Sequence, residues 1–351
     1  MRTIRRAAWR LSGLAAALLL SGCGREGPAE PARYQTAFLG SLDTVVRFTA
    51  YCGDSAAFDR ACELVRAELE QADRLYNLYR PDSGLSRVNE GAGQGPAAVE
   101  PALADAVEAS LAWQETTPAV NIAMGSVLSL WHTAREEGSP PDGAAIREAM
   151  GHASPSAVRV TRDGGRAWVE LADPAMSLDL GSTAKGLAAQ EIAEKLRQNG
   201  FGCFLLDCGT STLVCAGSPP GRDGWTVAVR NPDASLNRSG AEDPPETLGQ
   251  LTLRDGCVGT SGDYQKYFVQ NGVLYPHILD AATGQPAAYV RAVTVIAPDA
   301  GAADFYSTAL YAQPYEQARE LAEGIPGLEA LWVFADGSTA ATPGFGLQPE
   351  A

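Results

Sequence analysis

Apolar and polar positions along this chain follow two alternating periods. LDTVVRFTAY at 42–51 is rich in β-branched and aromatic residues and predicts an early strand. Over 55–76, Phe58, Cys62, Val65, Leu69 and Leu75 recur close to helical spacing, with Ser55 as a suitable cap. The polar stretch RPDSGLSRVNEGAGQG at 80–95 reads as a loop. Helices are expected over 99–113 and 122–135, and a hairpin over 157–161 and 167–171 turning through RDGG. SLDLGSTAKG precedes a periodic helix that ends near Asn199-Gly200. Strands follow at 203–207, 212–215, 225–230, 250–255, 265–270 and 290–297, interrupted by a polar, proline-containing excursion over 232–247. Helices at 301–312 and 314–324 and a strand at 328–336 complete the pattern. Hairpin-like strands set apart from helices by glycine turns predict an α+β fold rather than a regular parallel sheet.

Composition narrows the function. With 45% hydrophobic and 20% charged residues in 351, the chain is ordinary globular material. Its 27 basic and 42 acidic residues give a net charge of −15, which argues against a nucleic-acid groove. Lysine occurs only at 185, 195 and 266, so a lysine inside a motif carries weight.

Residues 1–22 join four arginines to the apolar run LSGLAAALLL and the small residues SG, the pattern of a secretory signal peptide. That run is too short to span a bilayer. LSGC at 20–23 resembles the bacterial lipoprotein signal, which places an acylated N-terminus at Cys23 and a polar tether over 23–36. Six cysteines follow Cys23, and export leaves disulfides and buried thiols equally open. Their spacing does not suit structural zinc.

Four polar clusters can carry chemistry. DLGSTAKG at 179–186 sets an acid, hydroxyls and Lys185 before a helix, where exposed amides can receive an anionic oxygen. GTSGDY at 259–264 is dense in small groups and hydroxyls and reads as a tight turn. Asp304 and Thr308, four apart on a helix, offer hard oxygen donors suited to Mg2+. His277 and Asp280 lie in LYPHILDAATG, and a histidine there can relay a proton.

The ordered blocks FLGSLDTVV, LYRPDSGLSRVN, NIAMGSVLSLW, SLDLGSTAKG, VGTSGDYQKYF, YPHILDAATGQP and VTVIAPDAGAADFYSTAL resemble the FAD:protein FMN transferases, the ApbE-type flavin-transfer lipoproteins, from about residue 37 to 336. The resemblance implies one ApbE-like domain over 37–340, a C-terminal tail over 341–351, and an active site in a cleft between two subregions. It implies Mg2+-dependent cleavage of FAD and transfer of FMN to an acceptor threonine through a phosphoester, with AMP released. Acceptors would be exported or membrane electron-transfer subunits with a DGxTGAT-like segment, and the enzyme would be lipid-anchored at Cys23 on the extracytoplasmic face of a bacterial membrane.

Residue by residue, the resemblance gives Asp304, Thr308 and the Ala184 carbonyl as metal ligands, and His277 as the group that activates the threonine. Asp280 would orient it or shape the site, and Lys185 would support the diphosphate directly or through Asp179. The flavin would meet Tyr79 and the segment of Ser83, Ser86, Arg87 and Asn89, with Asn121, Met124 and Gly125 lining the cleft. Thr260, Ser261, Gly262 and Asp263 would hold the adenosine or phosphate portion.

This sequence departs from the family pattern in four places. FLGSLDT stands for an MGT-like element, Asn121 for a common Asp, DCGTS at 207–211 for a GGD-type segment, and Ala281 for proline. Two other functions stay open on the sequence: an FAD pyrophosphatase giving FMN and AMP, and a non-enzymatic flavin-binding lipoprotein.

Overall fold

Period-two burial builds the largest element. In the strand Thr44–Cys52, Val46, Phe48 and Ala50 are buried while Arg47 is exposed, so one strand face enters the core. The computed structural model describes residues 31–349 apart from Leu42, Asp43, Thr210, Ser239 and Ala241. The signal peptide, Cys23 and most of the tether therefore lie outside the described residues, as do Leu42, Asp43 and Thr210 within two of the departing blocks.

Eight strands pair antiparallel in the order Ala32–Ser41, Thr44–Cys52, Phe204–Cys208, Thr212–Ala216, Gly256–Gly262, Ala292–Ala297, Glu329–Val333 and Thr339–Ala341. Helices Ser55–Tyr76, Ala184–Gln198, Ala300–Tyr311 and Tyr315–Gly324 cover one face, burying Phe48, Ile192, Phe204, Phe305, Leu310 and Trp332. The hairpin of Trp225–Arg230 and Thr247–Leu253 covers the other, around Val227, Leu251, Val258, Leu331 and Phe345. A smaller antiparallel sheet of Ala97–Val99, Arg166–Leu171 and Val158–Asp163 packs with helices Gly84–Glu90 and Pro101–Gln114 around a second core. Helices Gly125–Glu137 and Gly143–Gly151 form a third cluster with Leu279. Antiparallel sheets with separate helices make this an α+β fold, as the strand and helix spacing predicts.

Several local expectations change. The expected loop 80–95 contains the helix Gly84–Glu90, capped by Ser83, whose hydroxyl accepts from the Ser86 amide at 3.0 Å; buried Leu85 and Val88, three apart, supply its apolar side. Asp54, not Ser55, caps the first long helix, accepting from Ala57 N at 2.7 Å. Residues 32–36, expected in the tether, begin a strand in which Tyr34, Thr36 and Phe38 turn inward while Arg33, Gln35 and Ala37 stay exposed. The TSGD segment is no free turn: Thr260, Ser261 and Gly262 end a central strand and pair with Thr294, Val293 and Ala292. The helix Gly143–Gly151 is too short to announce itself by periodicity.

Beyond 340, the expected tail packs on the sheet through buried Phe345 and a Gln250–Gln348 bridge. All six described cysteines are free thiols. Among the described residues no helix is long and apolar enough to cross a membrane.

Candidate active site

The site begins where two helices meet. Gly186 and Gly259 let the helix Ala300–Tyr311 approach the chain at backbone distance. A Cβ on Gly186 would lie 2.2 Å from Ala300 O, and one on Gly259 would lie 2.1 Å from Ala303 O. This contact lets Gly186 N donate to Asp304 Oδ2 at 3.0 Å, and Thr212 Oγ1 donates to Oδ1 at 3.0 Å. Thr308 Oγ1 lies 3.3 Å from Asp304 O, and Ser261 Oγ is 3.2 Å from Thr308 Oγ1. Burial holds the Asp304 carboxyl above its ordinary range, opposed by Lys185, the Gly186 amide and the Thr212 hydroxyl.

A cavity of about 950 Å³ opens beside this contact. Lys185, Asp179 and Ala184 line it from the AKG turn, Thr308 from the late helix, and Asn121 and Met124 from the start of the helix Gly125–Glu137. Trp131, Phe268 and Tyr275 give it an aromatic wall, with Phe268 and Tyr275 stacked at 4.8 Å. Four basic side chains, Arg135, Lys185, Arg230 and Lys266, line it together with the acidic Asp179 and Glu136. Two of the three lysines of an acidic chain thus converge on one cavity, which favours an anionic ligand.

His277 is held by backbone. Its amide donates to Lys266 O at 3.0 Å, and Nδ1 lies 3.1 Å from the same carbonyl. Burial, reinforced by Lys185, Lys266 and Arg135, pushes its pKa down to about 3. The imidazole is therefore neutral near pH 7, and an anionic ligand that offsets the surrounding cations would raise its basicity and let it take a proton.

The sequence-derived residues divide by geometry. Tyr79, Asn121, Met124, Asp179, Ala184, Lys185, His277 and Thr308 line the cavity. Asp304 is not part of the wall; it is buried behind Thr308, with its carboxylate held by the Gly186 amide and the Thr212 hydroxyl. Asp280 turns away, with Oδ2 accepting from the Tyr289 hydroxyl at 2.9 Å and Oδ1 from Ala282 N at 2.8 Å; the Lys266 carbonyl, not Asp280, sits beside His277 Nδ1.

Ser83 and Ser86 cap and tether their helix, and Arg87 donates to Asp82 O at 2.6 Å. Asn89 clamps the Leu178 backbone with bonds of 2.9 and 2.8 Å, fixing the residue before Asp179. Gly125 N donates to Ser177 O at 2.8 Å, tying the same loop from the other side. Thr260, Ser261 and Gly262 belong to the sheet ladder. Asp263 is buried against Arg238 at 2.7 Å and Arg291 at 3.5 Å.

Sequence reading missed His132, Arg135, Arg230, Tyr264 and Lys266. His132 and Tyr79 pack with ring centroids 4.7 Å apart, and His132 Nδ1 lies 3.1 Å from the Tyr79 hydroxyl and 2.8 Å from Arg135. His132 and Arg135 sit three apart on a helix, a signal indistinguishable from a solvated face without its neighbours.

Among the described residues no group of three or more His, Cys, Asp or Glu could cage a metal. One buried carboxylate with a hydroxyl and a backbone carbonyl beside a cavity is instead the donor chemistry of Mg2+, which keeps waters and takes substrate phosphate oxygens. The raised Asp304 carboxyl fits such a cation, which would restore its ionised form.

An antiparallel sheet with a cation-lined cavity and a histidine in its wall suits a class of enzyme that acts on an anionic ligand. A family model described as the ApbE family matches residues 42–332. The chain is 31% identical over 350 residues to an FAD:protein FMN transferase of Treponema pallidum (strain Nichols), covering 96% of this chain and 94% of that protein. A Klebsiella pneumoniae (strain 342) protein of the same name is 30% identical over 319 residues, covering 89% of each. The ApbE protein of Thermotoga maritima superposes with a TM-score of 0.76 at 26% identity, over 90% of this chain and 98% of that one. The apo flavinyl transferase ApbE of Pseudomonas stutzeri gives the same score and identity over 90% and 96%. The chain belongs to the ApbE family of FAD:protein FMN transferases.

Proposed function

We propose that this enzyme transfers FMN from FAD to a threonine hydroxyl of an acceptor protein, with Mg2+ and release of AMP. The observation that carries the reading is the cation-lined cavity of about 950 Å³ whose wall includes both His277 and Thr308, with buried Asp304 directly behind Thr308 on the same helix. Arg135, Lys185, Arg230 and Lys266 would bind and orient the diphosphate, and Trp131, Phe268, Tyr275 and Tyr79 offer surfaces for its flat rings.

His277 takes the threonine proton as the threonine oxygen bonds to the phosphorus of the FMN half. The anhydride P–O bond to AMP breaks, and AMP leaves with that electron pair. Asp304, Thr308 and the Ala184 carbonyl would hold Mg2+, which when bound neutralises charge on the diphosphate and the departing AMP. The signal-like N-terminus supports an extracytoplasmic enzyme anchored by lipid on Cys23, with exported or membrane electron-transfer subunits as acceptors.

The test incubates the purified protein with FAD, Mg2+ and an acceptor domain carrying a DGxTGAT-like segment. Mass spectrometry is expected to find FMN on the threonine and chromatography to find AMP. AMP with only free FMN would make the enzyme a pyrophosphatase, and FAD binding without either product would make it a binding protein. Asp304→Ala is expected to lower turnover by about 10²-fold or more at every Mg2+ concentration; near-normal turnover would remove Asp304 from the metal site.

A further inference from the structure

The polar excursion after the strand Trp225–Arg230 is pinned to the sheet by buried charge. Arg291, 1% exposed, directs Nη1 to Asp233 and donates from Nη2 to Leu236 O at 2.7 Å; its Nε lies 3.5 Å from Asp263 Oδ2. Arg238 Nη1 reaches the same Asp263 oxygen at 2.7 Å, and its backbone N donates to Asp233 Oδ1 at 3.1 Å. The backbone closes the cluster, with Asp263 N donating to Arg291 O at 2.9 Å and Arg291 N to Val333 O at 2.8 Å.

Two carboxylates and two guanidiniums thus join the excursion to the ends of two central strands. Asp263 Oδ1 is buried with no hydrogen-bond partner among the described residues. An arrangement that leaves a buried carboxylate oxygen unpaired is not built for maximal stability, because desolvation offsets the attraction of buried pairs.

Both chain segments leaving the cluster enter the cavity wall. On one side are Arg230 and Ser235, joined by an Arg230 Nε–Ser235 Oγ bond of 3.0 Å. On the other, directly after Asp263, come Tyr264, Gln265 and Lys266, with the Arg230 guanidinium 6.0 Å from the Tyr264 ring centroid. The Lys266 carbonyl is also the group that holds His277.

We propose that Asp233, Arg238, Asp263 and Arg291 are positioning residues, which hold Arg230 and Lys266 over the cavity so that both cations meet the diphosphate of the bound dinucleotide. The proposal rests on FAD being the ligand. None of the four residues lines the cavity, so they act through the two cations they place.

The test measures FAD dissociation constants by flavin fluorescence for the wild-type protein, Asp233→Asn and Arg238→Gln, with amide hydrogen exchange of 231–238 and 264–266 and a thermal midpoint for each. Wild-type protein that binds no FAD refutes the ligand reading itself, separately from the positioning role, which exchange still tests. Asp233→Asn is expected to weaken FAD binding about tenfold or more and to speed exchange in both segments. Arg238→Gln changes a half-exposed partner, so it keeps the fold and shifts both readouts in the same direction to a smaller degree. If Asp233→Asn fails to fold, Arg238→Gln decides alone. A folded variant with wild-type FAD affinity and unchanged exchange in 264–266 overturns the proposal, since a purely structural cluster would lower only the thermal midpoint.

Discussion

A histidine among cations reports its surroundings by refusing a proton. The imidazole of His277 is pushed from an ordinary value of 6.5 down to about 3, first by burial and then by Lys185, Lys266 and Arg135. The unfolded chain therefore binds one more proton than the folded chain between these values. The stability this site contributes is present above about pH 6.5 and is lost as pH falls toward about 3. His277→Gln is expected to flatten that part of the wild-type stability curve, read as the difference between the two proteins in denaturant titrations from pH 7 to pH 4. The same variant is expected to lower turnover by about 10²–10⁴-fold; an unchanged rate would show that the proton leaves by another route. At this scale the sequence exposed only what a motif concentrates. Asp304, Thr308, Lys185 and His277 sit in dense polar blocks, whereas Arg230 and Lys266 gain meaning only from segments that are remote in sequence and meet across the cavity.

Elements were legible where burial was periodic and long. The helices Ser55–Tyr76 and Ala300–Tyr311 and the hairpin of Val158–Asp163 with Arg166–Leu171 agree closely with their apolar spacing. Gly84–Glu90 was hidden because seven residues offer too few turns for a period, and Gly256–Gly262 because small residues in a central strand look like a turn. Small residues there have a purpose: they admit the helix that carries Asp304. Gly186→Ala is expected to destabilise the protein by about 1–3 kcal/mol, since the added methyl meets backbone and not a movable side chain. Its turnover should fall further than its stability alone explains, because the Gly186–Asp304 bond parts with the contact; a variant of normal midpoint and rate would show that the two helices can separate freely.

For the whole molecule, the chain's six described thiols settle a question that composition left even. None is paired, and burial pushes Cys208, Cys215 and Cys257 up to about 12, so the three innermost are protected from oxidation. Thermal unfolding is expected to give the same midpoint with and without reductant. Loss of a bridge would cost about 2–5 kcal/mol and shift it visibly. The α+β class could be read from strand and helix spacing, but the covering of the second sheet face by residues beyond 340 could not, because a few scattered apolar positions carry no period.

The bare glycine contacts also govern how a bulky nucleotide gets in. With no side chain between it and its neighbours at Gly186 and Gly259, the Ala300–Tyr311 helix has no slack in which to slide or tilt. It is a fixed rail, and Asp304 and Thr308 are held in place with it. Any movement at the opening falls instead to the Tyr267–Pro276 hairpin, a two-stranded sheet of its own that borders the cavity.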